Sequence, residues 1–301
     1  MDLEQYAVIS AVVYAISMAI SLGEMFWLTV VSKREAFWHA YGAPLKNAAF
    51  VAVFTTLIPL ISTMGFAALG SRFAFWEMPQ SWWAWPAGLL IFEFWYWVQH
   101  YAGHKVRLLW CLHAPHHAPD TLTSLIGLGR SLLELPYLSF FLGFMTALCG
   151  VPLEVIFFVS IIDGFWGKFL HISPKLVDFR YGPLEYFLQT PRYHRAHHAR
   201  NLRYMDTNYN SITLFWDWAL GTLQPLHDAE PPTYGITREV DSRSWWDVQC
   251  SEALALVHDV RQAPGLKNKL LYLFMPPGWS HTGEHKMIHT LRAEASLPIG
   301  T

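Results

Sequence analysis

The sequence predicts an all-α fold: an integral-membrane helical bundle of about four to five spans, with a cytosolic helical cap that holds a histidine-rich site for two metal ions. Three observations support this prediction. Of the 301 residues, 53% are hydrophobic and only 15% are charged. The apolar residues form stretches long enough to cross a bilayer as helices. Histidines are concentrated between these stretches, and the motif His-x-x-His-His occurs at residues 113–117 and again at 194–198.

The first apolar stretch, residues 7–31, is long enough to cross a bilayer, since about 25 helical residues reach roughly 37 Å. It is also too long for the core of a secretory signal, so we expect it to be retained. The loop that follows carries Lys33, Arg34 and Lys46. Cytoplasmic loops of membrane proteins are enriched in Lys and Arg, and this loop is therefore predicted to face the cytoplasm.

Four further apolar stretches occupy residues 47–70, 85–99, 131–149 and 152–170. The first two of these return the chain to the cytoplasmic side at His100. The last two meet at Gly150-Val151-Pro152, where glycine and proline predict a hairpin tip. This hairpin would bring His171 and the second His-x-x-His-His motif to the membrane face at which His100 emerges.

Beyond residue 174 the sequence is polar and punctuated by prolines, with one helix predicted at residues 245–262. No repeat or linker divides the chain, so residues 1–301 are predicted to form a single membrane-embedded domain. Within it, residues 1–98 form the first spans, residues 99–222 the catalytic core with the histidine motifs, and residues 223–301 a cytosolic C-terminal extension.

Nine histidines follow the helical spacing that places side chains on one face, and they are the candidate metal ligands. They are His100, His104, His113, His116, His117, His171, His194, His197 and His198. Nine imidazoles exceed what one four-coordinate ion uses and suit two ions of higher coordination. Zinc has no redox chemistry, whereas two redox-capable irons could together reduce dioxygen and oxidise a C–H bond.

Four polar residues near the histidines are candidates to accept the second ring N–H of a metal-bound imidazole, and they are Glu93, Asp163, Asp206 and Asn208. Another histidine series, His281, His285 and His289, is interpreted as a surface feature. The aromatic residues Phe92, Trp95 and Tyr96, together with residues 132–144, are candidates to line a lipid tunnel.

Several classes of function are disfavoured by composition. A net charge of −2 without a long basic run does not favour nucleic-acid binding. The three cysteines, Cys111, Cys149 and Cys250, form no CxxC pair, so neither a disulfide framework nor a thiolate metal site is indicated. A membrane carrier of b-type haem has no use for two histidine trios. A zinc-dependent membrane hydrolase commonly has His-Glu-x-x-His, which is absent. These last two classes remain the alternatives.

Three stretches carry a resemblance to a known family: EFWYWVQHYAGHKVRLLWCLHAPHH, the isolated His171, and GPLEYFLQTPRYHRAHHARNLRYMDTNYNSITLFWDWALGT. The chain resembles the fatty acid hydroxylase and sterol desaturase superfamily of integral-membrane di-iron enzymes over residues 89–222. It is most similar to the alkylglycerol monooxygenase-like branch that includes bacterial sterol desaturases. The resemblance implies that the nine histidines bind two irons.

The resemblance also implies an oxidation driven by dioxygen. Its substrate would be a membrane lipid of fatty-acyl, ether-lipid or sterol type, and the outcome hydroxylation or desaturation. Electrons would come from an external donor through a cytochrome b5-, ferredoxin- or reductase-like partner. Relatives in the alkylglycerol branch use tetrahydrobiopterin, but no residue of this sequence identifies a pterin site. Zinc can replace iron in purified protein, since imidazole sites bind it tightly.

The chain departs from the family one turn before His171, where Gly167 replaces the histidine or amide of many relatives. The metal beside His171 would therefore have an open position or be completed by Asp163 or Asn208. The catalytic face is expected to be cytoplasmic, with a bacterial inner membrane favoured over the endoplasmic reticulum. The lipid, the carbon that reacts, the electron donor and the oligomeric state are left open.

Overall fold

The computed structural model describes residues 3–55, 58–131 and 133–297, and the regular elements in these ranges are helices. The α-helices are α1 Leu3–Phe26, α2 Phe37–Ala40, α3 Gly42–Thr55, α4 Ile58–Ser71, α5 Ala84–Lys105, α6 Arg107–His117, α7 Glu134–Ser139, α8 Thr146–Leu148, α9 Leu153–Leu170, α10 Pro191–His197, α11 Phe215–Ala219, α12 Trp245–Gln262, α13 Gly265–Phe274 and α14 Ile288–Glu294. A π-helical turn at Trp27–Val31 extends α1, and another at Phe140–Met145 joins α7 to α8. The all-α prediction is confirmed for this part of the chain.

One helix among the described residues is long and apolar enough to cross a membrane, and it covers Val8–Val31. Only 17% of its most apolar window is buried. Val8, Val12, Ile16 and Ile20 lie one turn apart on it, each about half exposed. A helix of this length with an exposed apolar stripe is suited to contact lipid. The other spans remain predictions, and residues 56–57 of the stretch 47–70 lie outside the described ranges.

The chain turns at Gly150 between the π-extended α7–α8 segment and α9, as the sequence predicts. Gly150 has φ +81°, a left-handed conformation that glycine adopts without strain. A Cβ at this position would also lie 2.5 Å from the carbonyl oxygen of Trp76. Glycine is therefore required here for both the backbone angle and the close approach.

The largest apolar core lies among α4, α5, α8, α9 and the π-helical segment between α7 and α8. Its fully buried members include Ala67, Phe92 and Ile156. Helix α4 and the π-helical segment approach each other closely at Gly70 and Gly143. A Cβ at either glycine would collide with a backbone carbonyl group of the opposite segment. The same core includes residues of α5, which carries His100 and His104, and of α9, which ends just before His171.

The C-terminal segment covers α6, the helix that carries three of the candidate ligands. Helix α12 spans the residues predicted for it, and the Ser244 side chain caps it by accepting from the Asp247 backbone N–H at 3.3 Å. Glu252 of α12 forms a buried ion pair with Arg107 at the start of α6. The carbonyl of Met275 accepts from the backbone N–H of Arg107 at 3.0 Å. These contacts anchor the start of the histidine-bearing helix to the C-terminal segment.

Candidate metal centre

The nine predicted histidines converge on two adjacent sets in the interior. One set contains His100, His104, His113, His117 and His197, and the other contains His116, His171, His194 and His198. Within each set the potential ligand atoms all lie within 4.8 Å of one another. None of the nine side chains is more than 5% exposed. Each set therefore forms a buried group that could hold a metal ion.

The two sets do not correspond to the two His-x-x-His-His motifs. His116 of the first motif joins the set that contains most of the second motif, and His197 of the second motif joins the set built mainly from α5 and α6. On a helix, neighbouring residues point about 100° apart, so His116 and His117 face different sets. The elements α6 and α10 thus each supply ligands to both groups.

The spacing of the ring nitrogens fits metal coordination. In the four-histidine set, His171 Nε2 lies 3.1 Å from His116 Nε2, 3.0 Å from His198 Nε2 and 2.8 Å from His194 Nε2. Adjacent nitrogens around an ion with metal–nitrogen bonds of about 2.0–2.1 Å lie roughly 3.0 Å apart when they subtend a right angle. In the five-histidine set, His113 Nε2 is 3.1 Å from Nε2 of both His100 and His117.

Burial of the histidines favours the protonation state that metal binding requires. Burial is the largest cause that lowers the pKa of each of the nine, and it lowers the pKa of His171 to about 3. The mutual proximity of the rings adds to this effect for most of them. Neutral imidazole is the form that coordinates metals, so the sets fit divalent cations.

Four of the histidines are oriented by backbone carbonyls that face their Nδ1 atoms. The pairs are His100 with Tyr209 at 2.7 Å, His116 with Ile126 at 3.2 Å, His171 with Gly167 at 2.5 Å, and His197 with Thr207 at 2.7 Å. With the carbonyl accepting, the Nδ1–H tautomer leaves Nε2 free for a metal. Gly167 thus orients His171 through its backbone carbonyl.

Two carboxylates approach the five-histidine set. The predicted candidate Asp206 lies with Oδ1 3.4 Å from His104 Nδ1 and forms an ion pair with Lys105 at 2.5 Å. Burial alone would raise the pKa of Asp206, but the hydrogen bond with His104 and the charge of Lys105 lower it to about 2. Asp206 is therefore ionised at neutral pH and suited to hold the His104 ring.

Glu134 is an acid that the sequence did not single out. Its Oε1 lies 2.7 Å from His113 Nδ1, and the side chain is buried. A charged residue in an otherwise apolar stretch, four positions after Arg130, was the available signal. Arg130 also donates to the same oxygen at 3.2 Å, so the carboxylate is held from both sides.

Two of the other three candidates, Glu93 and Asn208, hydrogen-bond to backbone groups. Glu93 accepts from the backbone N–H groups of Ile212 at 2.6 Å and Thr213 at 2.8 Å. Asn208 bonds to backbone groups of Tyr193 and Gln224. These contacts fix the segment after the second histidine motif, whose Tyr209 carbonyl orients His100.

Asp163 and Asn208, the residues proposed to complete the metal shell near His171, are not members of the four-histidine set. The four-histidine group contains no carboxylate among the residues that the structure describes, so Asp163 is not placed in it. The Asn208 amide is occupied by the backbone contacts above. A second missed acid, Asp217, accepts from the backbone N–H of Tyr209 and of Asn210, each at 2.8 Å. It stabilises the same segment.

A largely apolar cavity of about 310 Å³ borders the four-histidine set through His171 and His194. Its other walls include Tyr96, Leu138, Leu142, Gly164 and Gly167. Of the residues proposed for a tunnel, Tyr96 and part of the stretch 132–144 line this cavity. Phe92 and Trp95 do not, and Leu132 lies outside the described residues.

A more polar cavity of about 480 Å³ borders His104, His117, His197 and His198. Its walls include Arg200, Lys286 and Trp279. The tail histidines differ in role, since His289 lines this cavity whereas His281 and His285 make local contacts with Tyr272 and Ser280. The histidine sets thus border both a largely apolar and a more polar cavity.

Comparison with known proteins connects this arrangement to a family. Residues 85–222 match the family model for fatty acid hydroxylase. Over 206 residues the chain is 30% identical to alkylglycerol monooxygenase of Xenopus tropicalis and 29% identical to that of Homo sapiens, covering 68% of this chain and 44% of each relative. It is 32% identical over 193 residues to ornithine lipid hydroxylase OlsE of Rhizobium tropici, covering 63% of this chain and 56% of the relative. The chain thus spans about half the length of these relatives. No solved structure matches it significantly.

Proposed function

We propose that this chain, whose residues 85–222 match the family model for fatty acid hydroxylase, is a metal-dependent monooxygenase that uses dioxygen to hydroxylate a membrane lipid. The observation that carries the proposal is that two buried histidine sets border a largely apolar cavity and a second, more polar one. Relatives named as a monooxygenase of alkylglycerol and a hydroxylase of an ornithine lipid support lipid oxidation. They favour hydroxylation over desaturation.

The two sets would hold two iron ions, one in the group of five histidines and one in the group of four. When bound, such ions would supply the reduction of dioxygen and the oxidation of a C–H bond. The protein contributes fixed ring orientations through carbonyls and carboxylates, which support metal binding in many histidine sites. Purified protein is expected to contain some zinc in place of iron.

The apolar cavity is the proposed lipid site. Leu138 and Leu142 offer apolar walls. Gly164 and Gly167, which have no side chains, line the same cavity as His171 and His194. A lipid bound there would have one of its carbons next to the four-histidine set. The walls would also exclude water around the reacting carbon, which protects reactive species from side reactions.

The polar cavity is the proposed approach for electrons. It borders the five-histidine set and contains the cations Arg200 and Lys286 together with Trp279 and His289. A cytochrome b5-, ferredoxin- or reductase-like protein, or a small reductant such as tetrahydrobiopterin, would donate from this side. Reductant and lipid would then reach the metal sets from different cavities without competing for space.

Membrane attachment would begin at Val8–Val31, the helix whose apolar stripe is exposed. We propose that the other predicted spans complete the bundle and that the histidine sets lie at the cytoplasmic face. A bacterial inner membrane remains the favoured location, with the ornithine lipid hydroxylase of Rhizobium tropici as a bacterial relative.

Untargeted lipid analysis tests the proposed function. Cells that express the wild-type protein are compared with cells that express His116→Ala at equal membrane abundance. We expect a lipid whose mass rises by one oxygen atom only with the wild-type protein. Loss of two hydrogens would indicate desaturation instead, and an unchanged lipid profile would contradict lipid oxidation.

Metal analysis of the purified protein separates the rival classes. Iron bound without a haem absorption band is the expected result, at about two ions for the two sets. A haem band would favour the b-type electron carrier. Oxidation by a preparation that contains only zinc would overturn the redox assignment, and lipid hydrolysis by such a preparation would favour the zinc hydrolase.

A further inference from the structure

We propose that Asn210 and Asp163 form a hydrogen-bonding subsite within the apolar cavity and select lipids that carry a hydroxyl group there. This inference rests on the proposed function, in which that cavity holds the lipid. Both residues line the cavity, together with His194 of the four-histidine set. The subsite would therefore determine which lipids place a carbon beside the metals.

Asn210 is a buried amide whose side chain has no hydrogen-bond partner within the described ranges. Its exposure is 1%, and among the described residues neither its Oδ1 nor its Nδ2 atom has a hydrogen-bond partner. A buried polar group normally finds one, because an unmade hydrogen bond costs free energy in a water-poor interior. A carboxamide offers both a donor and an acceptor, and a single hydroxyl group can engage either.

The backbone of Asn210 is held firmly, so its unpaired side chain is not explained by a loose loop. The backbone N–H donates to Asp217 Oδ2 at 2.8 Å, and the carbonyl accepts from Gln189 Nε2 at 3.3 Å. The neighbouring Ile212 N–H donates to Glu93 at 2.6 Å. These contacts preorganise the amide within the cavity, and preorganisation lowers the cost of ligand binding.

Asp163 adds a second unsatisfied group to the same cavity. Its Oδ1 atom is buried without a partner among the described residues, while the Ser211 hydroxyl hydrogen-bonds to the carboxyl group. An ionised carboxylate only accepts hydrogen bonds, so a ligand must offer an O–H or N–H donor to satisfy it. An alkane, an ether or an ester has no such donor. The two residues together therefore favour a hydroxylated lipid over its methylated analogue.

Binding of two matched probes tests the subsite without turnover. The full chain is purified in detergent with its metal, and the dissociation constants of 1-hexadecanol and hexadecyl methyl ether are measured by native mass spectrometry at equal mole fraction in the micelle. We expect the alcohol to bind roughly tenfold more tightly or better, because a site built around hydrogen bonds rejects an analogue that leaves them unmade. Equal affinities would overturn the proposal.

Variants assign the preference to these residues. Asn210→Leu should reduce the preference to roughly threefold or less, since leucine has similar size and no hydrogen-bonding atoms. Asn268→Leu is the matched control, because Asn268 lies on α13 and its amide donates to the Pro264 carbonyl. It should retain the wild-type preference. If Asn210→Leu does not fold with its metal, Asp163→Asn replaces it, and a wild-type preference in that variant would overturn the proposal.

The outcomes distinguish the subsite from the proposed function. A preference that depends on Asn210, in a protein that oxidises no lipid, would retain the subsite and contradict the monooxygenase. Lipid oxidation with equal affinity for both probes would retain the monooxygenase and contradict the subsite.

Discussion

The Nδ1 atom of His113 lies 2.7 Å from Oε1 of Glu134, which places a carboxylate directly behind a candidate metal ligand. Arg130 donates to the same oxygen at 3.2 Å. A carboxylate in this position fixes the imidazole ring and increases the basicity of the opposite nitrogen. The arrangement links the apolar α7 segment to the five-histidine set.

Replacing Glu134 with Ala should weaken metal binding while leaving His113 in place. Loss of such a partner typically costs roughly 10–100-fold in metal affinity or activity. Glu134→Gln should retain more activity, because its amide oxygen can still accept from His113. Metal titration and lipid turnover measure both effects. Wild-type metal affinity in the alanine variant would contradict a positioning role.

Single histidine replacements should affect both metal content and turnover. His197→Ala removes a member of the five-histidine set, and His116→Ala removes one from the four-histidine set. Each should lower the metal content and abolish lipid oxidation, while membrane insertion is retained. The control is His258→Ala on the exposed face of α12, which should behave as wild type. Full activity in either ligand variant would contradict the two-set site.

Filling the apolar cavity should block the lipid without removing metal. A Cβ added at Gly164 meets no atom within 4 Å, so a larger side chain can be accommodated without backbone collision. Gly164→Leu would occupy the space and should lower turnover of long-chain lipids by roughly tenfold or more. Gly164→Ala should have a smaller effect. Unchanged turnover in the leucine variant, with normal metal content, would place the lipid elsewhere.

Close helix packing at Gly143 should be sensitive to a single methyl group. A Cβ at this position would collide with the Thr63 carbonyl. Gly143→Ala should therefore lower the free energy of unfolding by about 1–3 kcal/mol, as overpacking does in other interiors. Gly23→Ala is the matched control, since a Cβ there meets no atom within 4 Å. Thermal unfolding in detergent compares them, and equal destabilisation would contradict the packing explanation.

The histidines were predictable from the sequence because helical spacing is a local property. Their division into two sets was not, since it depends on how α6 and α10 meet across the interior. The segregation of His116 from His117 follows from helix geometry only once the neighbouring elements are placed. The all-α class and the helix at residues 245–262 were likewise local patterns, and both are confirmed.

Partners of the histidines were harder to predict. Glu93 and Glu134 are both acids in apolar stretches, yet only Glu134 reaches a ring nitrogen. Four other rings are oriented by backbone carbonyls, which every residue possesses and which therefore leave no signal in the sequence. The carbonyl of Gly167 is one of these, and the absence of a side chain at that position gave no indication that it holds His171.

The exchange of His116 and His197 between the two sets has a consequence for assembly. Neither metal group can form from one half of the chain, because α6 and α10 each contribute to both. The first ion to bind would bring these helices together and so prepare the second group. Metal loading is therefore expected to be cooperative, with the chain progressing from the metal-free to the fully loaded state through few singly loaded molecules.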